Sequence, residues 1–295
     1  MPAKGNAMNT AVRCAESVPA STSSVANVLS VAGVDPSGGA GVLADLKAFC
    51  ACGAYGCGVI VALTAQNTQA VTGIHVPPAD FLRLQLDTLF ADVRIDAVKI
   101  GMLGSAAATR TVAERLAHWQ APRIVLDPVM IAKSGDALLA PEAVAELREA
   151  LLPLALLITP NLPEAGVLTE TRAPENPREM RQAAEKLRRL LPDDERWVLL
   201  KGGHLPGSEV YDLLFDGDRM MEFRSPRIAT HNTHGTGCSL SSAIAAFLGR
   251  GFAMPEAVSR AREWLHEAIA QSGALDVGHG HGPVHHFHAL WSGVR

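Results

Sequence analysis

Short apolar runs alternate with amphipathic stretches from Val28 onward. Almost every position is apolar in the runs that we expect to form buried strands: Val28–Ala32, Val59–Leu63, Ala97–Ile100, Ile124–Leu126, Leu156–Thr159 and Val198–Lys201. The stretches between them have a helical period: Gly41–Cys52, Pro78–Asp92, Ser105–His118, Pro141–Leu152, Asn176–Leu191 and a final pair that begins at Gly235 and Pro255. This alternation predicts an α/β fold, with a mainly parallel sheet and helices on both of its faces.

Two segments depart from the alternation. Tyr211–Phe215 and Arg219–Phe223 flank the turn sequence Asp216-Gly217-Asp218, which predicts an antiparallel hairpin at the sheet edge. Residues 1–27 have no hydrophobic period and lack the basic start and apolar centre of a secretory signal. We expect a disordered leader over 1–27 and one domain over 28–295, with a transit peptide as the alternative for the Ser-rich leader.

The composition excludes several classes of protein. Hydrophobic residues make up 48% of the 295 positions, and the net charge of −4 argues against a nucleic-acid binder. No apolar run reaches the roughly 20 residues that a membrane span needs. The five cysteines are Cys14, Cys50, Cys52, Cys57 and Cys238. Because their spacing suits no disulfide framework, we expect reduced thiols in the cytoplasm, with zinc at Cys50, Cys52 and Cys57 as the alternative.

Polar residues follow most of the predicted strands, at the point where each strand ends. They are Asp35, Gln66 with Asn67, Asp127, Asn161 with Glu164, and Lys201. Any one of them could be a simple turn or cap residue. Ligands of open α/β sheets bind beyond the carboxyl ends of the strands, so the set together predicts a binding site there.

The segment N-T-H-G-T-G-C-S, Asn232 to Ser239, leads into an apolar helix. Gly235 and Gly237 allow a tight turn whose N–H groups, with the helix dipole, would form a pocket for negative charge. The alternative is an ordinary N-cap with Thr236 or Ser239 as the capping residue. A thiol at a helix N-terminus has a lowered pKa, so Cys238 is predicted to be a proton acceptor, with nucleophile and packing residue as alternatives.

Two further motifs have more than one interpretation. The loop Gly33–Gly41 lacks both the lysine of a Walker A loop and the second glycine of a dinucleotide fingerprint, which disfavours a nicotinamide oxidoreductase. We expect it to approach a small substrate, with Asp45 accepting hydrogen bonds from an amino group or else complementing the helix dipole. The C-terminal histidines are irregularly spaced and predict a closing loop, with a metal site as the alternative: His279, His281, His285, His286 and His288.

These motifs resemble those of the bacterial hydroxymethylpyrimidine/phosphomethylpyrimidine kinases, in the ribokinase-like superfamily. The matching strings occur in the family's order over about residues 28–290: AGVDPSGGAGVLADLKAF, GAYGCGVIVALTAQNT, VKIGMLG, VLDPVMIAKSGDALL, LITPNLPEA, LLKGGH, NTHGTGCSLSSAIAA and VGHGHGPVHHFH. The resemblance implies a three-layer αβα fold, often a homodimer, with ATP and Mg²⁺. It further implies phosphorylation of 4-amino-5-hydroxymethyl-2-methylpyrimidine to its monophosphate and then diphosphate, for thiamine biosynthesis. Pyridoxal kinases share the fold and are the alternative.

The resemblance also implies a role for individual residues. It assigns the pyrimidine pocket to Gly33, Asp45, Gln66 and Met102. It assigns the anion hole to Gly235, Thr236 and Gly237, beside Cys238 as the base. It assigns ATP and water-bound Mg²⁺ to Asn161, Glu164, Asp127, Lys201 and, in a closing loop, Lys133. Thr64 departs from the more apolar residue expected in the pocket. A regulatory binder is disfavoured because Cys238, Lys201 and Glu164 are all present.

Overall fold

The computed structural model describes residues 24–130 and 141–291, and these residues form one nine-stranded sheet. Its strands are β1 (Asn27–Val34), β2 (Tyr55–Gln66), β3 (Val71–His75), β4 (Ala97–Ile100), β5 (Ile124–Leu126), β6 (Leu157–Ile158), β7 (Trp197–Leu200), β8 (Glu209–Phe215) and β9 (Met220–Pro226). Their order is β3-β2-β1-β4-β5-β6-β7-β8-β9. Six consecutive strands of this order are parallel, namely β2, β1, β4, β5, β6 and β7, whereas β3, β8 and β9 run antiparallel to their neighbours.

Helices cover both faces of this sheet. They are α1 (Gly41–Ala51), α2 (Ala79–Asp92), α3 (Ala106–His118), α4 (Pro141–Glu146), α5 (Leu162–Thr169), α6 (Pro177–Arg188), α7 (Thr236–Gly249) and α8 (Met254–Ala270). Helices α1, α7 and α8 share one apolar core with the sheet, and α2, α3, α5 and α6 share the other. The predicted α/β class, the three αβα layers and the mainly parallel sheet are therefore confirmed.

Local burial explains two elements that the sequence pattern missed. Strand β3 lies at the sheet edge with only partial burial, so it has no apolar run to mark it. Helix α5 is only eight residues long, which is too short for a clear helical period, and it closely follows the apolar sequence of β6. The hairpin expected at the opposite edge is present as β8 and β9.

The predicted helix Pro141–Leu152 is shorter than expected. The α-helical part ends at Glu146, followed by a π turn over Leu147–Leu151 and a 3₁₀ turn over Leu152–Leu154. Pro153 cannot donate a backbone hydrogen bond, and its ring crowds the carbonyl four residues earlier. A regular α-helix therefore cannot continue through this proline.

The N-terminal boundary lies slightly earlier than the predicted leader implies. Strand β1 begins at Asn27, and Arg94 donates hydrogen bonds to the Ser24 hydroxyl and the Val25 carbonyl. Residues 1–23, and Lys133 of the predicted closing loop, lie outside the described residues. Within the described ranges, no helix has the length and apolar character needed to span a membrane.

Candidate active site

A cavity of about 660 Å³ opens at the carboxyl ends of the parallel strands. Most of the site residues predicted from the sequence line it: Gly33, Gln66, Met102, Asp127, Asn161, Glu164, Lys201, Gly235, Thr236, Gly237 and Cys238. The topology brings them together because every parallel strand ends on this side of the sheet. Of the remaining predicted residues, Asp45 does not line the cavity and Lys133 lies outside the described residues.

The turn Gly235–Cys238 at the start of α7 is where the sequence predicts an anion hole, and we refer to this turn as the phosphate cradle. Gly235 has a left-handed φ of 74°, and an added Cβ would overlap the carbonyl oxygen of Gly39. No described side chain caps α7, so the predicted alternative of capping by Thr236 or Ser239 is wrong. The N–H groups of the first turn have no acceptor within the helix, and the turn lines the cavity, so it has the features that an anion site requires.

The loop between β1 and α1 is held against this cradle by one carboxylate. Asp35 accepts hydrogen bonds from the Ser37 N–H (2.9 Å), the Ser37 hydroxyl (2.7 Å) and the Ala40 N–H (3.0 Å). The ring Nε2 of His234 lies 2.6 Å from Asp35 Oδ2, and both side chains are buried. These hydrogen bonds outweigh burial and lower the pKa of Asp35.

The contact between His234 and Asp35 is a feature that sequence reasoning missed. The two residues are 199 positions apart and belong to different motifs. The fold brings the two residues together, because α7 packs against both α1 and β1. A polar residue beside each glycine-rich turn is the only hint within the sequence itself.

Lys201 and Asp127 form an ion pair in the cavity wall. Lys201 Nζ lies 2.8 Å from Asp127 Oδ1, which also accepts a hydrogen bond from Thr159 Oγ1 at 2.8 Å. Burial alone would raise the pKa of Asp127, but the charges of Lys201 and Lys99 hold it below its usual range. A Cβ at Gly237 would lie 3.3 Å from Lys201 Nζ, so the lysine ends beside the cradle.

Asn161 and Glu164 form a capping box at the start of α5. The Glu164 N–H donates to Asn161 Oδ1 (2.9 Å), and the Asn161 N–H donates to Glu164 Oε2 (2.8 Å). Burial raises the pKa of Glu164 to about 7. The positive charge of Lys201 lowers this pKa, whereas the negative charge of Asp127 raises it further. A cation beside Glu164 and Asp127 would relieve that unfavourable charge, so their oxygen atoms fit Mg²⁺.

The two carboxylates would bind such an ion together with other ligands. In the part of the chain that the structure describes, no group of three or more His, Cys, Asp or Glu side chains could hold a metal. Mg²⁺ usually keeps several waters and takes phosphate oxygens as ligands. The site therefore fits the expected water-mediated ion rather than a cage of protein ligands.

Asp45 does not have the environment predicted for a substrate ligand. Both of its oxygens lie 2.8 Å from Lys99 Nζ, and it accepts hydrogen bonds from Ser30 (2.6 Å) and Ser242 (2.7 Å). Its side chain points from α1 onto the sheet and is fully buried. These donors occupy the carboxylate and Asp45 is absent from the cavity wall, so the structure gives no support to the predicted contact with a substrate amino group.

Cys238 lines the cavity, but its thiol is less acidic than predicted. Burial raises the pKa of Cys238, and the carboxylates of Asp45 and Asp127 add to this effect. The charge of Lys99 and the N–H group of Gly41 act in the opposite direction without outweighing burial. The pKa of Cys238 is therefore shifted in the direction opposite to the one that we predicted from the helix terminus.

Several known proteins are similar to this chain over most of its length. The family model described as phosphomethylpyrimidine kinase matches residues 35–285. The hydroxymethylpyrimidine/phosphomethylpyrimidine kinase of Escherichia coli (strain K12) is 52% identical over 265 residues, covering 90% of this chain and 98% of the relative. The thiamine biosynthesis bifunctional protein ThiED of Geobacter sulfurreducens is 48% identical over 260 residues, covering 88% of this chain and 52% of the relative.

A solved structure with the same fold is the ADP complex of Bacillus subtilis pyridoxal kinase. It is 32% identical, has a TM-score of 0.82, and covers 90% of this chain and 99% of its own. The family match, the extent of the alignments and the shared fold lead to one conclusion. The chain belongs to the phosphomethylpyrimidine kinase family.

Proposed function

We propose that the protein transfers the γ-phosphoryl group of ATP to 4-amino-5-hydroxymethyl-2-methylpyrimidine and then to the resulting monophosphate, in thiamine biosynthesis. The observation that carries this proposal is the uncapped start of α7 at Gly235–Cys238, which opens into the cavity between two unlike walls. One wall offers a neutral amide and a thioether, and the other a lysine and two carboxylates. A phosphoryl group held at the cradle would lie between a small heterocycle and a nucleotide.

The neutral wall suits an aminopyrimidine. The amide of Gln66 can both donate to a ring nitrogen and accept from an exocyclic amine. Thr64 Oγ1 donates to the Val34 carbonyl (2.7 Å) and lies 3.2 Å from Gln66 Oε1, so it supports the amide. Gly33 lies close to the end of the Met102 side chain, since a Cβ at Gly33 would lie 2.8 Å from Met102 Cε. These contacts support the assignment of Gly33, Gln66 and Met102.

The charged wall and the space beyond it suit ATP. Lys201 offers a cation to phosphate oxygens, and the cavity extends past it to the apolar side chains of Ile228, Leu265 and Ile269. An apolar extension is what an adenine ring requires. Mg²⁺ bound near Asp127 and Glu164 would neutralise charge on the phosphates.

The chain's own residues supply positioning and electrostatic stabilisation. The N–H groups of Gly235–Cys238 face the place where charge develops on the transferring group. Cys238 can accept the proton of the substrate hydroxyl only when it is in its thiolate form. The second transfer needs no such acceptor, because its nucleophile is a phosphate oxygen that already carries charge. One cradle can therefore serve both transfers, with Cys238 required mainly for the first.

Product analysis tests this proposal against the pyridoxal alternative. The purified protein with ATP and Mg²⁺ should convert the hydroxymethylpyrimidine first to a monophosphate and then to a diphosphate, as followed by mass spectrometry. Phosphorylation of pyridoxal alone would overturn the proposed substrate. The higher identity to the E. coli pyrimidine kinase than to the pyridoxal kinase favours the pyrimidine.

A homodimer is part of the proposal. Exposed apolar side chains lie on β2, β3 and α2, at or near the open edge of the sheet: Leu63, Ile74, Phe81 and Leu84. A second copy would cover them, so sedimentation should give twice the 31.1 kDa mass of the chain. Phe81→Asp should yield monomers, whereas Leu290→Asp, which changes a comparably exposed residue outside β2, β3 and α2, should leave the dimer intact. A monomeric wild-type protein would contradict this assembly.

Cytoplasmic location is also part of the proposal. Four of the cysteines, Cys50, Cys52, Cys57 and Cys238, are free thiols in the described residues. Free thiols are typical of a reducing compartment. Fractionation of cells should recover the protein with cytoplasmic markers, and recovery with a membrane or secreted fraction would contradict this location.

A further inference from the structure

The glycine–histidine segment near the C-terminus contacts the hairpin that carries Gln66. We call residues 278–283 the strap. The Gly280 N–H donates to Thr68 Oγ1, and the His281 N–H donates to the Thr68 carbonyl, both at 3.1 Å. Thr68 lies two positions after Gln66, in the turn between β2 and β3. The strap therefore binds the tip of the hairpin directly beside the proposed pyrimidine pocket.

Two glycines make this contact possible. A Cβ at Gly280 would overlap the carbonyl oxygen of Thr68, and a Cβ at Gly278 would overlap the Thr68 side chain. Gly273, a few residues earlier, faces open space instead. The glycines of the strap thus serve close approach to the hairpin, and Gly273 offers a matched position without such a contact.

The other end of the strap is bound to the loop before α7. The His234 N–H donates to the Gly282 carbonyl at 3.1 Å, and His281 Nδ1 lies 3.2 Å from the His231 carbonyl. Pro283 forms a parallel bridge with His234. Because His234 directly precedes Gly235, the strap contacts the phosphate cradle as closely as it contacts the hairpin.

Two buried histidines fix the strap to the helices behind it. The His285 N–H donates to the Ala268 carbonyl of α8 at 2.9 Å. His286 Nε2 lies 2.9 Å from Ser239 Oγ of α7, in a buried contact. The strap therefore rests on the same helix that forms the cradle.

We propose that the strap positions the β2–β3 hairpin relative to the phosphate cradle, with Thr68 as the positioning residue on the hairpin. The end of this hairpin is a two-stranded extension, because β1 pairs with β2 only as far as Leu63 and Gln66 pairs with β3 alone. Such an extension is only marginally stable by itself. A strap bonded to both parts sets the distance between the pyrimidine, held beside Gln66, and the phosphoryl group, held at Gly235–Cys238. Such positioning matters because a small displacement of reacting groups slows a transfer strongly. This inference rests on the proposed function.

Gly280→Ala tests the contact, with Gly273→Ala as its control. The added methyl group should displace the hairpin and raise the KM for the pyrimidine about tenfold, while the KM for ATP stays near that of the control. Hydrogen exchange of residues 66–70 should become faster in Gly280→Ala alone. The exchange measurement needs no substrate, so it separates a failed strap from a failed substrate assignment.

Thr68→Val and Thr68→Ser form a second pair that adds no bulk. Valine keeps the shape and removes the acceptor of the Gly280 N–H, and we expect a rise of about threefold in the pyrimidine KM, the size of one lost hydrogen bond. Serine keeps the hydroxyl and should restore the wild-type constant. This pair decides the matter if Gly280→Ala also lowers Tm.

The two proposals fail in different ways. A wild-type protein that phosphorylates only pyridoxal contradicts the proposed function, and the same comparisons are then made with pyridoxal. Equal substrate constants in Thr68→Val and Thr68→Ser, together with unchanged exchange of residues 66–70 in Gly280→Ala, overturn the strap.

Discussion

Two lysine–carboxylate pairs lie near the carboxyl ends of the central strands, and their surroundings differ. Lys99 and Asp45 are both 0% exposed, and two serines complete the hydrogen bonding of the carboxylate. Lys201 and Asp127 are 14% and 2% exposed, and they lie in the cavity wall. The same 2.8 Å contact thus joins structural elements in one place and faces the proposed substrates in the other. The two pairs have the same contact distance, and the difference in burial separates their proposed roles.

The largest expected effect comes from breaking each pair at its lysine. Lys99→Met leaves Asp45 buried without its counter-charge, which should cost about 3–5 kcal/mol of unfolding free energy. Lys201→Met should lose less stability, because water reaches its site, but should lower kcat by about 10²–10³-fold. Denaturant unfolding and initial rates of both variants check this contrast. Equal losses of unfolding free energy in the two variants would contradict the proposed difference between a structural pair and an active-site pair.

Removal of the thiol should separate the two transfers. Cys238→Ala should slow phosphorylation of the alcohol by about 10²-fold or more, because no positioned acceptor remains for its proton. Transfer to the monophosphate should stay within a few-fold of the wild-type rate, since that nucleophile is already charged. Single-turnover rates with each substrate measure the split. Equal losses in both steps would exclude a role confined to proton transfer.

Because the pKa of Cys238 is raised, we expect the rate of the first transfer, but not that of the second, to depend on pH. Below the thiol pKa, the thiolate fraction grows about tenfold for each pH unit, so the rate of the first transfer should rise with that slope from about pH 7 to about pH 8.5. The groups whose charges act on the thiol are Lys99, Asp45 and Asp127. The second transfer and the Cys238→Ala variant should lack the slope. A flat profile for the first transfer in the wild type would exclude the thiolate as its base.

The smallest expected effect concerns the metal. Glu164→Gln keeps the capping geometry of α5 but removes the negative charge, so it should mainly raise the Mg²⁺ concentration needed for half-maximal rate, by several-fold. Asn161→Asp adds a negative charge at the same capping box, so it should not raise the Mg²⁺ requirement. An unchanged requirement in Glu164→Gln would contradict a role near the ion.

Much of the fold and part of the site could be predicted from the sequence. The buried strands of a parallel sheet are apolar on both faces, so their runs mark them without ambiguity, and the turn chemistry at Gly235 and Gly237 marks the cradle. Strand β3 and helix α5 were missed because an edge strand and a short helix leave weaker patterns.

The errors at the site have a common physical cause. The environment of Asp45 depends on Lys99 of β4 and Ser242 of α7, which no local pattern relates to it. The pKa of Cys238 depends on burial between several elements, which outweighs the helix terminus that the sequence shows. The contact of His234 with Asp35 likewise joins loops 199 residues apart. Spacing locates a site, but the charge state within it depends on non-local packing.

A crystal structure with the pyrimidine and a non-hydrolysable ATP analogue tests the central claim most directly. The account predicts that the terminal phosphate accepts hydrogen bonds from the N–H groups of Gly235–Cys238, with the pyrimidine hydroxyl directed at it and the ring beside Gln66. A terminal phosphate bound away from this turn, with the turn facing solvent, would contradict the account.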